Sequence, residues 1–308
     1  LGRIRSGANL KVIDGVENRT IFFGMDQHRD ELPGSNVKGK NPLKDQRVRM
    51  ALYQGIDIAS INRVTMRALS QPTGALVAPQ VTGWTKGVDK RFAYDPEAAK
   101  KLLADAGYPQ GFEVDFACPN NRYINDEEIC QAVTAMWAKI GVKAKLRTLP
   151  LVTYFPMIQR YEASIYMLGW GVPTFDALYS LQSLTRSVGA GGDGNYNVGR
   201  YSNPRMDALV ERTKKETDLK LRTELLERLG RVGRYRAIAD VRRWEITSLE
   251  TLAERKRALD ALLLLSRAMF FAGEAAAARP MLDRGLAVAR QQVDRRGEYR
   301  TLSQIGLL

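Results

Sequence analysis

Residues 94 to 148 constrain the fold more than any other part of the chain, because they set out a helix, a strand, a second helix and a second strand joined by short connections. In "YDPEAAKKLLADAGYPQGFEVDF", residues 94–116, Asp95 is placed to cap a helix. Pro96 suits its first turn, where the N–H that proline lacks would have no partner. Ala98, Ala99, Leu102, Leu103 and Ala106 share one face, Lys100, Lys101 and Asp105 the other, and Gly107 offers the left-handed residue that ends the helix. Phe112, Val114 and Phe116 then alternate with Glu113 and Asp115, the period of a half-buried strand. "NDEEICQAVTAMWAKIG", residues 125–141, predicts an amphipathic helix with Ile129, Val133, Met136, Trp137 and Ile140 inward, and "VKAKLRT" alternates again. Strand, helix and strand in that order require a crossover and a parallel pair, so the expected class is α/β.

The rest of the chain extends this pattern. "NLKVIDG" (9–15) and "RTIFFGM" (19–25) read as strands, and "DELPGSNVKGKNPLKD" (30–45) as a turn-rich connector. Residues 45–69 read as two helical pieces, the second capped by Asp57. "ASIYMLGWG" (163–171) is expected to be a strand ending in a Gly-Trp-Gly turn at 169–171, and residues 186–204 a glycine-rich loop. Asn203 and Pro204 open a helix through about Thr217, and Asp218 caps another that ends near Gly230. From Gly233 onward strand-like alternation disappears and Ala, Leu and Arg dominate, which places a boundary near residue 232. The organisation predicted is an α/β region over 1–232 and an all-α segment over 233–308. That segment partly resembles a tetratricopeptide-type repeat, with Gly273, Ala278 and Leu282 in its turn, small and packing positions; an unrelated helical hairpin is the alternative.

Composition excludes several chemistries. The net charge of +13 is spread over both regions, with no arginine block or interleaved aromatic platform, so nucleic acid is not an expected partner. Two cysteines and one histidine leave little for a metal site. Cys118 and Cys130 either join in an oxidising compartment, closing a short strand-to-helix loop, or remain two buried thiols. His28, Asp26, Asp30 and Glu31 read as solvated loop residues, and Ser60 and Ser164 lie in no nucleophile elbow. Gly189, Gly191 and Gly194 match G-x-G-x-x-G, but no strand precedes them and no helix follows, so a flexible loop is expected in place of a nucleotide site. No catalytic residue, metal or cofactor is predicted. No apolar run approaches the roughly 18 to 20 residues that span a bilayer.

Five stretches occur in a telling order: "NPLKDQRVRMALYQGIDIASI", "YDPEAAKKLLADAGYPQGFEVDF", "AVTAMWAKIGVKAKLRT", "LGWG" and "YNVGRYSNPRMDALVERTKKETD". Residues 1 to 232 thereby resemble the later part of the extracytoplasmic solute-binding proteins of the peptide, nickel and opine group of ABC importers. The resemblance implies an incomplete lobe of the type II periplasmic-binding-protein fold. It also implies capture of a peptide-like, opine-like or metal-chelate solute between two closing lobes, delivery to membrane permease subunits, a periplasmic or extracytoplasmic location and no enzymatic step. The chain begins at Leu1, so the signal peptide and much of the first lobe are expected upstream. Peptide-binding relatives hold the ligand's amino group with an aspartate shortly after the Gly-Trp turn; the matching residue here is Pro173, with Asp176 three residues on. The site residues expected on this basis are Trp170, Gly171, Asp176, Asn195 and Asn197. The competing expectation is a helical-repeat interaction scaffold, its helical segment docking a protein partner, that carries a nonfunctional lobe.

Overall fold

The computed structural model describes residues 15, 17–226, 229, 263 and 275–291. Four strands form one sheet: β1 (Arg19–Met25), β2 (Phe112–Pro119), β3 (Val142–Leu149) and β4 (Ile165–Gly171), in spatial order β1-β4-β2-β3. β2 is parallel to both β3 and β4, and β1 runs antiparallel to β4. The parallel pair predicted from the helix between the strands is β2 with β3.

Helices cover both faces. On one lie α1 (Gln46–Gln54), α2 (Pro96–Asp105) and α3 (Asp126–Ala138), whose apolar sides meet Phe116 of β2 and Ile165 and Met167 of β4. Trp137 of α3 is fully buried there and donates its indole N–H to Leu52 O at 2.9 Å. Across the sheet, α4 (Leu151–Gln159), α5 (Ala177–Leu184) and α6 (Pro204–Lys215) pack on Ala117, Tyr166, Leu168 and Trp170. The alternation of side chains along a strand divides the core this way: Ile165 and Met167 point to one layer, Tyr166 and Leu168 to the other.

Local signals act as the residues suggest. Asp95 accepts the Ala98 N–H at 2.9 Å, and Gly107 takes φ +94°, the left-handed geometry that stops α2. Asp45 caps α1, and Asp57 accepts the Ser60 N–H at 2.9 Å as Ile58–Ser60 runs into a π-helical turn, Ile61–Thr65. Asn203 caps α6, which stops at Lys215, and Asp218 accepts the Leu221 N–H at 2.9 Å at the start of a helix over 219–226. Cys118 and Cys130 form a disulfide. Residues 186–203 form a loop with one 3-10 turn, Ala190–Gly192.

Two expectations need correction. Gly169, Trp170 and Gly171 are not a turn: they complete β4, paired with Ile21, Thr20 and Arg19 of β1. Asp26 is not solvated but buried. Its carboxylate accepts the N–H groups of His28 and Arg29 at 2.9 and 3.1 Å and pairs with the Arg29 guanidinium at 2.6 Å. Buried carboxylates persist only when so compensated.

The helix α7 (Ala275–Gln291) carries Ala278 and Leu282, both buried. The strand expected over 9–15, except Gly15, the boundary at 232 and Gly273 lie outside the described residues.

Candidate functional site

The chain leaves β2 by way of α3 to reach β3 on one side, then returns through α4 to β4 on the other. Such a reversal opens a crevice beyond the carboxyl ends of the two strands, where open α/β sheets bind ligands. The pairing displays the opening. β2 matches β3 along its whole length but meets β4 only at Phe116 with Ile165 and Ala117 with Tyr166.

Two tyrosines span the divergence. The Tyr154 hydroxyl reaches Ala117 O at 3.2 Å and Met167 O at 2.6 Å. Beyond it, the Tyr123 oxygen accepts the Gly169 N–H at 2.8 Å. Only glycine allows this approach, because a Cβ at residue 169 would stand 2.5 Å from the Tyr123 ring. Burial pushes both phenols above the ordinary tyrosine pKa.

The segment after β2 forms one rim. Asp126, buried at the start of α3, accepts the N–H groups of Arg122 and Tyr123, each at 2.9 Å. Arg122 is exposed, and its guanidinium carbon lies 5.1 Å from the centre of the Tyr123 ring; that of Arg19 lies 5.8 Å from the same ring. Two guanidinium groups therefore attend one aromatic ring at the mouth of the crevice, and that of Arg19 is also paired with Glu17 at 2.9 Å.

The segment after β4 forms the other rim. The Asn18 side chain donates to Val172 O at 2.8 Å and accepts its N–H at 3.0 Å, continuing the β1–β4 ladder by one residue. Phe175 is left-handed, at φ +52°, and half exposed. A non-glycine residue in this conformation carries strain that its surroundings must hold; the Phe175 carbonyl does so by accepting the Thr82 N–H at 2.9 Å. Asn18, Gln71, Pro79, Gln80 and Phe175 line an open groove of about 720 Å³, with no charged side chain among those five.

The expected residues divide. Gly171, paired with Arg19, and Pro173, exposed in the loop, lie at this rim. Trp170 is buried beneath it, stacked on Tyr179 at 5.3 Å and edge-on to Tyr196 at 4.8 Å, and its Nε1 has no hydrogen-bond partner among the described residues. Asp176 caps α5 through the Leu178 N–H at 2.8 Å and holds the Arg222 guanidinium at 2.9 and 3.0 Å. Asn197 is buried and braces the glycine-rich loop, bonding Arg186 O and both backbone groups of Tyr201; Asn195 is exposed on that loop. Reading the sequence alone misses Arg122, Tyr123 and Phe175. The signal for the first two was their place just past the carboxyl end of a parallel strand; Phe175 had none, since left-handed geometry is not written in a phenylalanine.

The model for bacterial extracellular solute-binding proteins, family 5 (middle), matches residues 2–192. Heme-binding protein A of Haemophilus influenzae is 32% identical over 189 residues, covering 59% of this chain and 34% of that protein. The dipeptide-binding protein of Escherichia coli is 33% identical over 149 residues, covering 46% and 28%. Among solved structures, the ABC transporter-associated periplasmic binding protein DppA from Helicobacter pylori, in complex with the peptide STSA, superposes with a TM-score of 0.65 at 20% identity over 75% of this chain and 42% of that one. The chain spans about a third of the length of the curated relatives it matches. With the matched residues running from 2 to 192 and including β1 to β4 and both rims of the crevice, the chain belongs to the bacterial extracellular solute-binding proteins of family 5.

Proposed function

We propose that the protein is the substrate-binding component of an ABC importer, located outside the cytoplasmic membrane, that captures a small solute at the crevice between β2 and β4 and delivers it to permease subunits. The observation that carries this reading is the open groove at the carboxyl end of β4, with no charged side chain among its five lining residues, and the Arg122 guanidinium just past the carboxyl end of β2. Capture needs no covalent step: a second lobe closing over the groove buries the solute, and polar groups set its orientation.

The chemistry of the rims favours a solute with an anionic or neutral amide head over a cation. Arg122 presents a planar set of donors suited to a carboxylate. Asn18, Gln71 and Gln80 suit amides, and Phe175 suits an apolar group. Glu17, beside the groove residue Asn18, pairs with the Arg19 guanidinium at 2.9 Å, and Asp126 and Asp176 are engaged with backbone N–H groups and, for Asp176, with Arg222. An ammonium entering the crevice therefore finds no free carboxylate from any of them, in keeping with Pro173 at the position where peptide-binding relatives have an aspartate. Gly171 and Pro173 shape the rim, Trp170 is its aromatic floor, and Asn195 and Asn197 act from the neighbouring loop. Two relatives are named for chemically different solutes, heme and dipeptide, which supports leaving the solute class open to both.

Isothermal titration calorimetry tests the reading, with the full-length gene product and the 308-residue chain side by side against dipeptides, oligopeptides, heme and nickel chelates. The full-length protein is expected to bind one class saturably. The 308-residue chain should bind it at least about a hundredfold more weakly, since a pocket that encloses its ligand needs both walls. Micromolar binding by the 308-residue chain contradicts two-lobe capture. We further propose that the α/β region ends near residue 232, where limited proteolysis should cut first.

A further inference from the structure

We infer that the Cys118–Cys130 disulfide and the Asp126 carboxylate form one positioning device that presets the Arg122–Tyr123 rim of the crevice before any solute arrives. Cys118 is the last residue but one of β2, and Cys130 lies in the second turn of α3; both are fully buried. The bond thus closes a covalent loop around residues 119–129, which contains the whole rim.

Within that loop every polar tie pulls toward one conformation. Asn120 N–H donates to Leu149 O at 3.1 Å, and the Asn121 side chain accepts the Leu151 N–H at 2.8 Å, fixing the start of the loop to the end of β3 and the start of α4. Asp126 gathers the N–H groups of Arg122 and Tyr123 onto one oxygen. Asn125, left-handed at φ +55°, donates its side-chain N–H to Thr65 O at 2.8 Å. The Tyr123 hydroxyl then crosses to Gly169, so order in the covalent loop passes to the opposite strand. A short loop with its ends covalently joined has few conformations left to lose. Rotamer and loop ordering otherwise oppose binding, so a rim that is already ordered favours it.

This inference rests on the reading of the crevice as the solute site, but its test needs no solute. Amide hydrogen exchange, read residue by residue by NMR on the 308-residue chain, is compared among the parent, the double variant Cys118→Ala/Cys130→Ala, and Asp126→Asn. In the double variant, the amides of Arg122, Tyr123 and Gly169 should exchange at least about tenfold faster relative to those of β3, which report general stability. Gly169 is the discriminating probe, because it lies outside the covalent loop and its N–H is tied to that loop through the Tyr123 oxygen. If all amides loosen by the same factor, the disulfide is a general staple and the inference fails. Asp126→Asn keeps the disulfide and serves if the double variant does not fold: Arg122 and Tyr123 should exchange about tenfold faster with Asn120 unchanged, and equal protection of all three overturns the proposal. Loss of solute binding with this exchange pattern intact would count against the crevice, not against the device.

Discussion

The Tyr123 hydroxyl oxygen sits 2.8 Å from the Gly169 nitrogen, where the neighbouring strand would have supplied a carbonyl had β2 and β4 stayed together. A side chain replaces a rung of the ladder, and the Gly169 N–H stays paired where the sheet opens. Tyr123→Phe removes that acceptor while conserving the ring. It should lower stability by about 1 to 2 kcal/mol, the cost of an unsatisfied partly buried donor, as a shift in urea midpoint at unchanged slope. An unaltered midpoint would show that water substitutes for the phenol.

Trp170 joins two aromatic contacts in the layer beneath the rim. Trp170→Ala should cost about 3 to 5 kcal/mol of folding stability, the range for emptying a large aromatic site in a packed core. Thermal unfolding checks this. A variant as stable as its parent would mean that the ring serves the solute alone.

Asp176 and Pro173 separate structure from recognition. Asp176→Asn keeps a capping oxygen but loses the charge facing Arg222, so stability should fall by about 1 kcal/mol or less while solute affinity in the full-length protein stays unchanged. Pro173→Asp adds a carboxylate to an exposed rim position and should tighten binding of solutes with a free α-amino group. Calorimetry on matched free and N-acetylated peptides reads both outcomes. Loss of affinity in Asp176→Asn would give that residue a direct role.

Alkaline pH should weaken the fold at the same divergence. Burial raises the pKa of Tyr123 and Tyr154 because the phenolate is poorly solvated there. Groups raised on folding contribute stability in full below the unfolded value, about pH 10 for tyrosine, and lose it as pH climbs toward the folded value. The melting temperature should therefore be insensitive to these phenols up to about pH 9 and decline above about pH 10. The decline should be shallower in Tyr154→Phe, and identical slopes for parent and variant would assign it to other groups.

The legible parts of the fold were those where one local interaction decides the outcome. Asp95, Asp57, Asn203 and Asp218 announce helix starts because a short acceptor bonds the next turn whatever lies around it. By contrast, α4 carries Pro156 in mid-helix, and its nine residues depend on tertiary packing of Tyr154, Met157 and Ile158. Gly169 to Gly171 looked like a turn because glycine permits one; β1, far away in sequence, makes it a strand. The same holds for the site. Gly171 was placed at the rim by its motif, and the turn that Asp126 makes with the Arg122 and Tyr123 N–H groups is local, whereas the contacts of Tyr123 with Gly169 and of Phe175 with Thr82 lie in no short window.

We place the solute at the carboxyl ends of β2 and β4, and hydrogen–deuterium exchange of the full-length protein with and without saturating solute is the decisive measurement. Protection is predicted in peptides containing residues 121–123 and 172–175, with those containing 26–29 and 199–200, at the other end of the sheet, unchanged. Protection confined to 26–29 and 199–200, with both rims unaffected, would contradict it.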